Sequence, residues 1–174
     1  MKNSLSKEVN KELGDAREQI ISAAKVGKKL CIAGSSTKHF LAPRSALDGK
    51  DEQHVQMFSL AGNTGIVSYQ PSELVITVRA ATRLSEVVQA LTEKKQLLGF
   101  EPPSFGTDAS IGGTVASALN GPARPYLGSI RDAVLGTKIM TGTGDIARFG
   151  GEVMKNVAGY DVSRLLVGSM GSLS

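Results

Sequence analysis

The 174-residue sequence has a single cysteine, Cys31, so it can form neither an internal disulfide nor a four-cysteine zinc or iron–sulfur site. Its two histidines, His39 and His54, have no paired ligand spacing and read as loop or surface positions. No apolar run approaches the ~18 to 20 residues of a spanning helix, which excludes a transmembrane helix. The N-terminus is polar and charged and does not resemble a signal peptide, which points to a reducing, cytoplasmic setting. Aromatic residues make up 5%, and none is interleaved with the scattered basic residues, which argues against a nucleic-acid surface. No Ser-His-Asp, Cys-His or paired-carboxylate constellation can be assembled from spacing, so no acid–base machinery of the protein's own is visible.

What is present is an ordinary globular composition, 41% hydrophobic and 21% charged. The 20 glycines and 6 prolines fall below the range of about 25–30% typical of low complexity, so each glycine is a local instruction. A compact chain of this length should expose about 8,100 Å² and bury about two thirds of its extended surface. The net charge of +4 suits a phosphate-bearing ligand.

Between Ser4 and Lys28, Leu5, Val9, Leu13, Ile20 and Ile21 recur at helical spacing, which predicts an amphipathic helix of residues 1–28 stopped by Gly27. Residues 29–174 then form the main domain. Leu30 to Ala33 reads as a short buried strand ending at Gly34-Ser35-Ser36-Thr37-Lys38. A loop over 42–53, a weak strand through 56–60 and a turn at Gly62-Asn63 follow. Leu74 to Val78 predicts a strand, and Leu84, Val87, Val88 and Leu91 a helix reaching Gln96. Small residues from Gly112 to Leu119 suit a short helix close to another backbone. Ala133–Met140 and Asp145–Phe149 predict a hairpin, and Asp161 should cap a helix carrying Leu165, Leu166 and Val167.

Two loops, 34–38 and 110–114, could present consecutive backbone N–H groups to an anion. Neither is a Walker loop or a G-x-G-x-x-G turn, and alone each reads equally as an ordinary turn. Four ordered segments carry more information: Tyr69 to Val87, Phe100 to Ala116, Gly121 to Gly136, and Lys155-Asn156-Val157-Ala158-Gly159-Tyr160-Asp161. With these the chain resembles the FAD-binding subunits of bacterial glycolate oxidase (glycolate dehydrogenase), within the vanillyl-alcohol-oxidase or PCMH-type flavoprotein superfamily. The resemblance runs from about Lys29 to the last residue.

The resemblance implies an α+β fold of two subdomains clasping FAD, one a small β-α-β unit and the other a larger, mainly antiparallel sheet with helices. By position, Gly34, Ser35, Ser36, Thr37 and Lys38 would form the pyrophosphate loop. Pro102, Pro103, Ser110, Gly112, Gly113 and Thr114 would form a second FAD-facing loop, with Ser117 and Asn120 reaching the cofactor from the short helix. Gly128, Asp132 and Asp161 would hold loops. Relatives usually carry a glycine run at 34–36 and a glycine at Ala81. Thr37 stands where some superfamily members attach FAD through histidine, so the FAD is expected to be non-covalent.

The implied reaction is flavin-dependent oxidation of glycolate or another small 2-hydroxy acid, in a complex with a second flavin subunit and an iron–sulfur subunit. That setting is cytoplasmic, peripheral to the inner membrane through the partners. The family continues past Ser174 with another strand and a cap, so the chain is expected to be incomplete at its C-terminus. The rival expectation is a non-catalytic module that only assembles with a partner. Among single residues, Cys31 reads as a small buried hydrophobe and Tyr160 as core packing, while Lys155 and Arg164 read as ion-pairing groups.

Overall fold

A computed structural model describes residues 2–41, 54–106, 108–152 and 160–173, with side chains in the first helix from residue 13 onward. Helix α1, Lys2–Lys25, ends where Gly27 takes a φ of +68°, as the glycine stop predicts. Ile20 and Ala23 are buried, and Arg17 Nε donates to Gly144 O at 3.1 Å, tying the helix to a distant turn.

Strands β1 (Lys29–Ala33) and β2 (Val55–Ser59) pair in parallel, Lys29 opposite Val55 and Ala33 opposite Ser59. The predicted loop at 42–53 lies outside the described residues. Strand β3, Ile66–Gln70, pairs antiparallel with β4, Val75–Val78. The sequence did not reveal β3 because a register shift between Ile66 and Ser68 breaks its alternation and leaves Val67 60% exposed. Helix α2, Leu84–Thr92, buries Leu84, Val87 and Leu91 along one face. It stops short of Gln96 because Lys95 turns left-handed and Gln96 N–H reaches back to Leu91 O at 3.0 Å.

The short α3, Ile111–Ser117, falls where the small residues predict it. Two single turns follow, α4 (Arg124–Leu127) and α5 (Ile130–Ala133). The predicted strand from Ala133 begins only at Gly136, since a capping box between Ser129 and Asp132 draws residues 130–133 into a helical turn. Strands β5 (Gly136–Met140) and β6 (Ile146–Gly150) form the expected antiparallel hairpin. Asp161 caps α6, Val162–Leu166, by accepting from Arg164 N.

Phe100, Ile130 and Val167 form a buried cluster against which Leu98, Val115, Ala118 and Val134 pack. The surface is larger than the scaling expectation, 11,576 Å² against about 8,100 Å². Tyr160 contributes to it: it is 98% exposed, not part of the core as expected, since it directly precedes the α6 cap and points away from the core. Cys31 is only half-buried, on a strand whose sheet has two members among the described residues.

Candidate functional site

A cleft of about 550 Å³ opens where the loop after β1 faces the turn into β3 and the start of α2. Gly34 and Ser35 line one side, Ala61 and Thr64 another, and Ala81, Arg83, Glu86 and Asp108 the rest. Thr82 anchors the two sides from within, being fully buried and using its hydroxyl both to accept from Gly65 N at 2.9 Å and to donate to Gly65 O at 3.1 Å. The 80–84 segment is zipped to the approach to α3 by an isolated bridge, Arg83 to Ser110. Leu84 N–H donates to Ala109 O at 2.7 Å and Ile111 N–H to Thr82 O at 2.9 Å.

Of the first predicted loop, Gly34 and Ser35 line the cleft, and Ser36, Thr37 and Lys38 are not among its lining residues. The amides of Ser35, Ser36, Thr37 and Lys38 donate no hydrogen bond among the described residues, and the next one made in the segment is His39 N–H to Ser36 O at 3.3 Å. Gly34 approaches the second loop so closely that a Cβ there would lie 3.1 Å from Ser110 Oγ. Unused backbone donors next to the side-chain-free Gly34 fit the diphosphate of a dinucleotide cofactor. Lys38 Nζ and His39 Nε2 are buried without a hydrogen-bond partner among the described residues, and the ammonium sits 6.0 Å from the Phe105 ring centroid. Burial holds the Lys38 pKa below its ordinary value.

The second predicted loop is engaged internally. Gly112 N–H donates to Ala80 O at 2.7 Å, Gly113 N–H to Ser110 Oγ at 3.2 Å, Thr114 Oγ1 to Ser110 O at 2.9 Å and Ser117 Oγ to Thr114 O at 3.3 Å. Asn120 accepts from Ile130 N at 3.1 Å and donates to Ala118 O at 2.8 Å. Pro102 and Pro103 follow Glu101, whose carbonyl and carboxylate bind Gly121 N and Ala123 N, and neither proline lines the cleft. Of the predicted residues Gly34 and Ser35 line the cleft and Gly34 abuts Ser110, whereas Pro102, Pro103, Ser110, Gly112, Gly113, Thr114, Ser117 and Asn120 are not among its lining residues.

Asp132 and Asp161 each cap a short helical turn. Asp132 lies below the usual carboxylate range because the Ser129 hydroxyl, then the Ser129 amide, bond to it. Arg164 pairs with Asp161 at 3.4 Å, while Lys155 lies outside the described residues. Sequence reasoning missed Thr64, Arg83, Glu86 and Asp108. Arg83, Glu86 and Asp108 fall inside the quoted segments, but nothing local marks them as cleft residues. Among the described residues no cluster of His, Cys, Asp and Glu could hold a metal, and no helix is long and apolar enough to cross a membrane.

Together these features define an α+β domain with a cleft between a loop of unused backbone amides and a wall braced by a second, internally bonded loop. The chain belongs to the FAD binding domain family, which matches residues 18–150. It is 49% identical to glycolate oxidase subunit GlcE of Escherichia coli strain K12, over 90% of this chain and 42% of that protein. It is 35% identical to glycolate oxidase subunit GlcD of Bacillus subtilis strain 168, over 62% of this chain and 23% of that protein. The chain therefore spans less than half the length of these relatives. An alkyldihydroxyacetonephosphate synthase structure superposes with a TM-score of 0.65 at 17% identity, over 90% of this chain and 27% of that one, a likeness of fold.

Proposed function

We propose that the chain is the FAD-binding part of a glycolate oxidase-type subunit that oxidises glycolate or a related 2-hydroxy acid to the 2-oxo acid. The observation that carries this is the 49% identity to the Escherichia coli subunit across 90% of the chain. The free amides of 35–38 are the cradle for the diphosphate, with Lys38 as an ammonium awaiting an anion. Gly112, Gly113, Thr114, Ser117 and Asn120, with Pro102 and Pro103, shape the second loop that closes on the cofactor.

FAD, when bound, supplies the hydride acceptor; the protein's part is to hold and orient. Attachment is non-covalent: Thr37 offers no imidazole, and His39 Nε2 is buried. This chain's single cysteine cannot hold a four-cysteine cluster, so the reading places electron exit on an iron–sulfur partner, beside a second flavin subunit, in a cytoplasmic complex at the inner membrane through its partners.

The test is the visible spectrum of the purified chain after loading with FAD and gel filtration, followed by anaerobic glycolate addition with partner subunits. Retained flavin absorbance that bleaches with glycolate is expected. A folded chain that retains no flavin overturns the reading. A second reading, an assembly module without turnover, is favoured by exposed Tyr126 and Tyr160, at 90% and 98%. It predicts that a flavin-free partner co-purifies at a stoichiometry unaffected by added FAD.

A further inference from the structure

Opposite the amide-bearing loop, the cleft wall carries charges of both signs. Its lining carries one cation, Arg83, and two carboxylates, Glu86 and Asp108. The cation is already engaged, with Nε 3.4 Å from Asp108 Oδ1. An entering dianion would meet repulsion on this wall unless the pair rearranged.

The geometry allows that rearrangement at low cost. The bridge between Arg83 and Ser110 and its flanking backbone bonds fix the backbone at Arg83 and at Ala109 and Ser110, which follow Asp108, so the ion pair can part by a swing of its side chains. The pair is 66% and 55% exposed at the side chain and uses a single guanidinium nitrogen, the weak kind of surface ion pair. The two terminal nitrogens of Arg83 make no hydrogen bond or ion pair among the described residues, leaving the planar fork free for a phosphate.

We propose that Arg83 is the side-chain contact for the FAD diphosphate and that Asp108 is its resting counter-ion, released when the cofactor enters. This rests on the FAD reading and adds a device to it. The free site keeps its cation neutralised, and binding exchanges a single carboxylate contact for a forked phosphate contact. Asp108 thereby limits the affinity of its own site.

The experiment is a fluorescence titration of the full 174-residue chain with FAD and, separately, with riboflavin, which shares the ring but has no phosphate. Arg83→Gln should weaken FAD binding by about ten-fold or more and leave riboflavin binding unchanged. Asp108→Asn should tighten FAD by about three- to ten-fold, and this gain should vanish when Arg83→Gln is also present. Glu86→Gln removes a lining carboxylate that has no ion pair and should tighten FAD by less.

Three results would overturn the proposal while leaving flavin binding intact. One is an FAD affinity insensitive to Asp108→Asn. Another is an equal gain from Glu86→Gln. The third is a riboflavin response matching that of FAD. Failure of the unsubstituted chain to bind either flavin would instead remove the FAD reading itself, and the proposal with it. All three side chains are exposed, and melting curves of the variants check that the fold is kept.

Discussion

Ser36 holds a φ of +61° in the open loop, a left-handed conformation that costs a side-chain-bearing residue about 1–2 kcal/mol. Ser36→Gly should remove that strain and, after glycine's added entropy cost, stabilise the chain by about 0.5–1 kcal/mol in urea melts. Buried Thr82 poses the opposite case. Thr82→Val keeps the shape but deprives Gly65 N–H of its acceptor, and should cost about 1–3 kcal/mol, whereas Thr82→Ser should recover most of it.

Lys38 is where stability and the proposed cofactor contact should oppose each other. Its folded pKa lies below the ordinary value, so the unfolded chain binds more protons between the two. Stability from this group therefore rises with pH through that window, and at neutral pH the buried ammonium is a net cost. Lys38→Met should stabilise the free chain at neutral pH, flatten its stability against pH relative to the parent near the lysine range, and weaken FAD retention. A variant that melts lower, or that binds FAD as tightly, would contradict this.

Elements meet here through backbone contacts that only glycine permits. A Cβ on Gly112 would lie 2.7 Å from Ala80 O and 2.8 Å from Ala80 Cβ, so Gly112→Ala must push α3 off the segment that walls the cleft. The expected loss is about 1–3 kcal/mol together with weaker flavin binding. Gly14 is the control: nothing lies within 4 Å of a Cβ there, and Gly14→Ala on exposed α1 should gain about 0.5–1 kcal/mol without touching affinity.

The same contrast explains what the sequence could disclose. Periodicity found α1, α2 and the β5–β6 hairpin, because each buries one regular face. It missed β3, whose bulge scrambles the alternation, and misplaced the start of β5, where the Ser129–Asp132 box overrides a β-rich run. The open loop at 34–38 was legible from small residues at a strand end. The far wall was not, since Arg83 and Asp108 meet beside the Arg83–Ser110 bridge and Thr64 joins them through the Ala81 N–H to Asn63 O bond, all of them long-range contacts.

At the scale of the whole molecule, the extended chain exposes roughly 26,000 Å², so a compact fold would bury about 18,000 Å². With 11,576 Å² exposed in the folded chain, the burial is about a fifth smaller. Leu97, Tyr126 and Tyr160 are 74%, 90% and 98% exposed and belong to that uncovered area. The slope of unfolding free energy against urea tracks the area newly exposed. The isolated chain should therefore unfold with a slope about a fifth below that of a compact 174-residue domain. A slope at the compact value would mean that the surface is covered in solution. Sedimentation at the same concentration would then have to show self-association, and the slope would fall on dilution as the covering copy leaves.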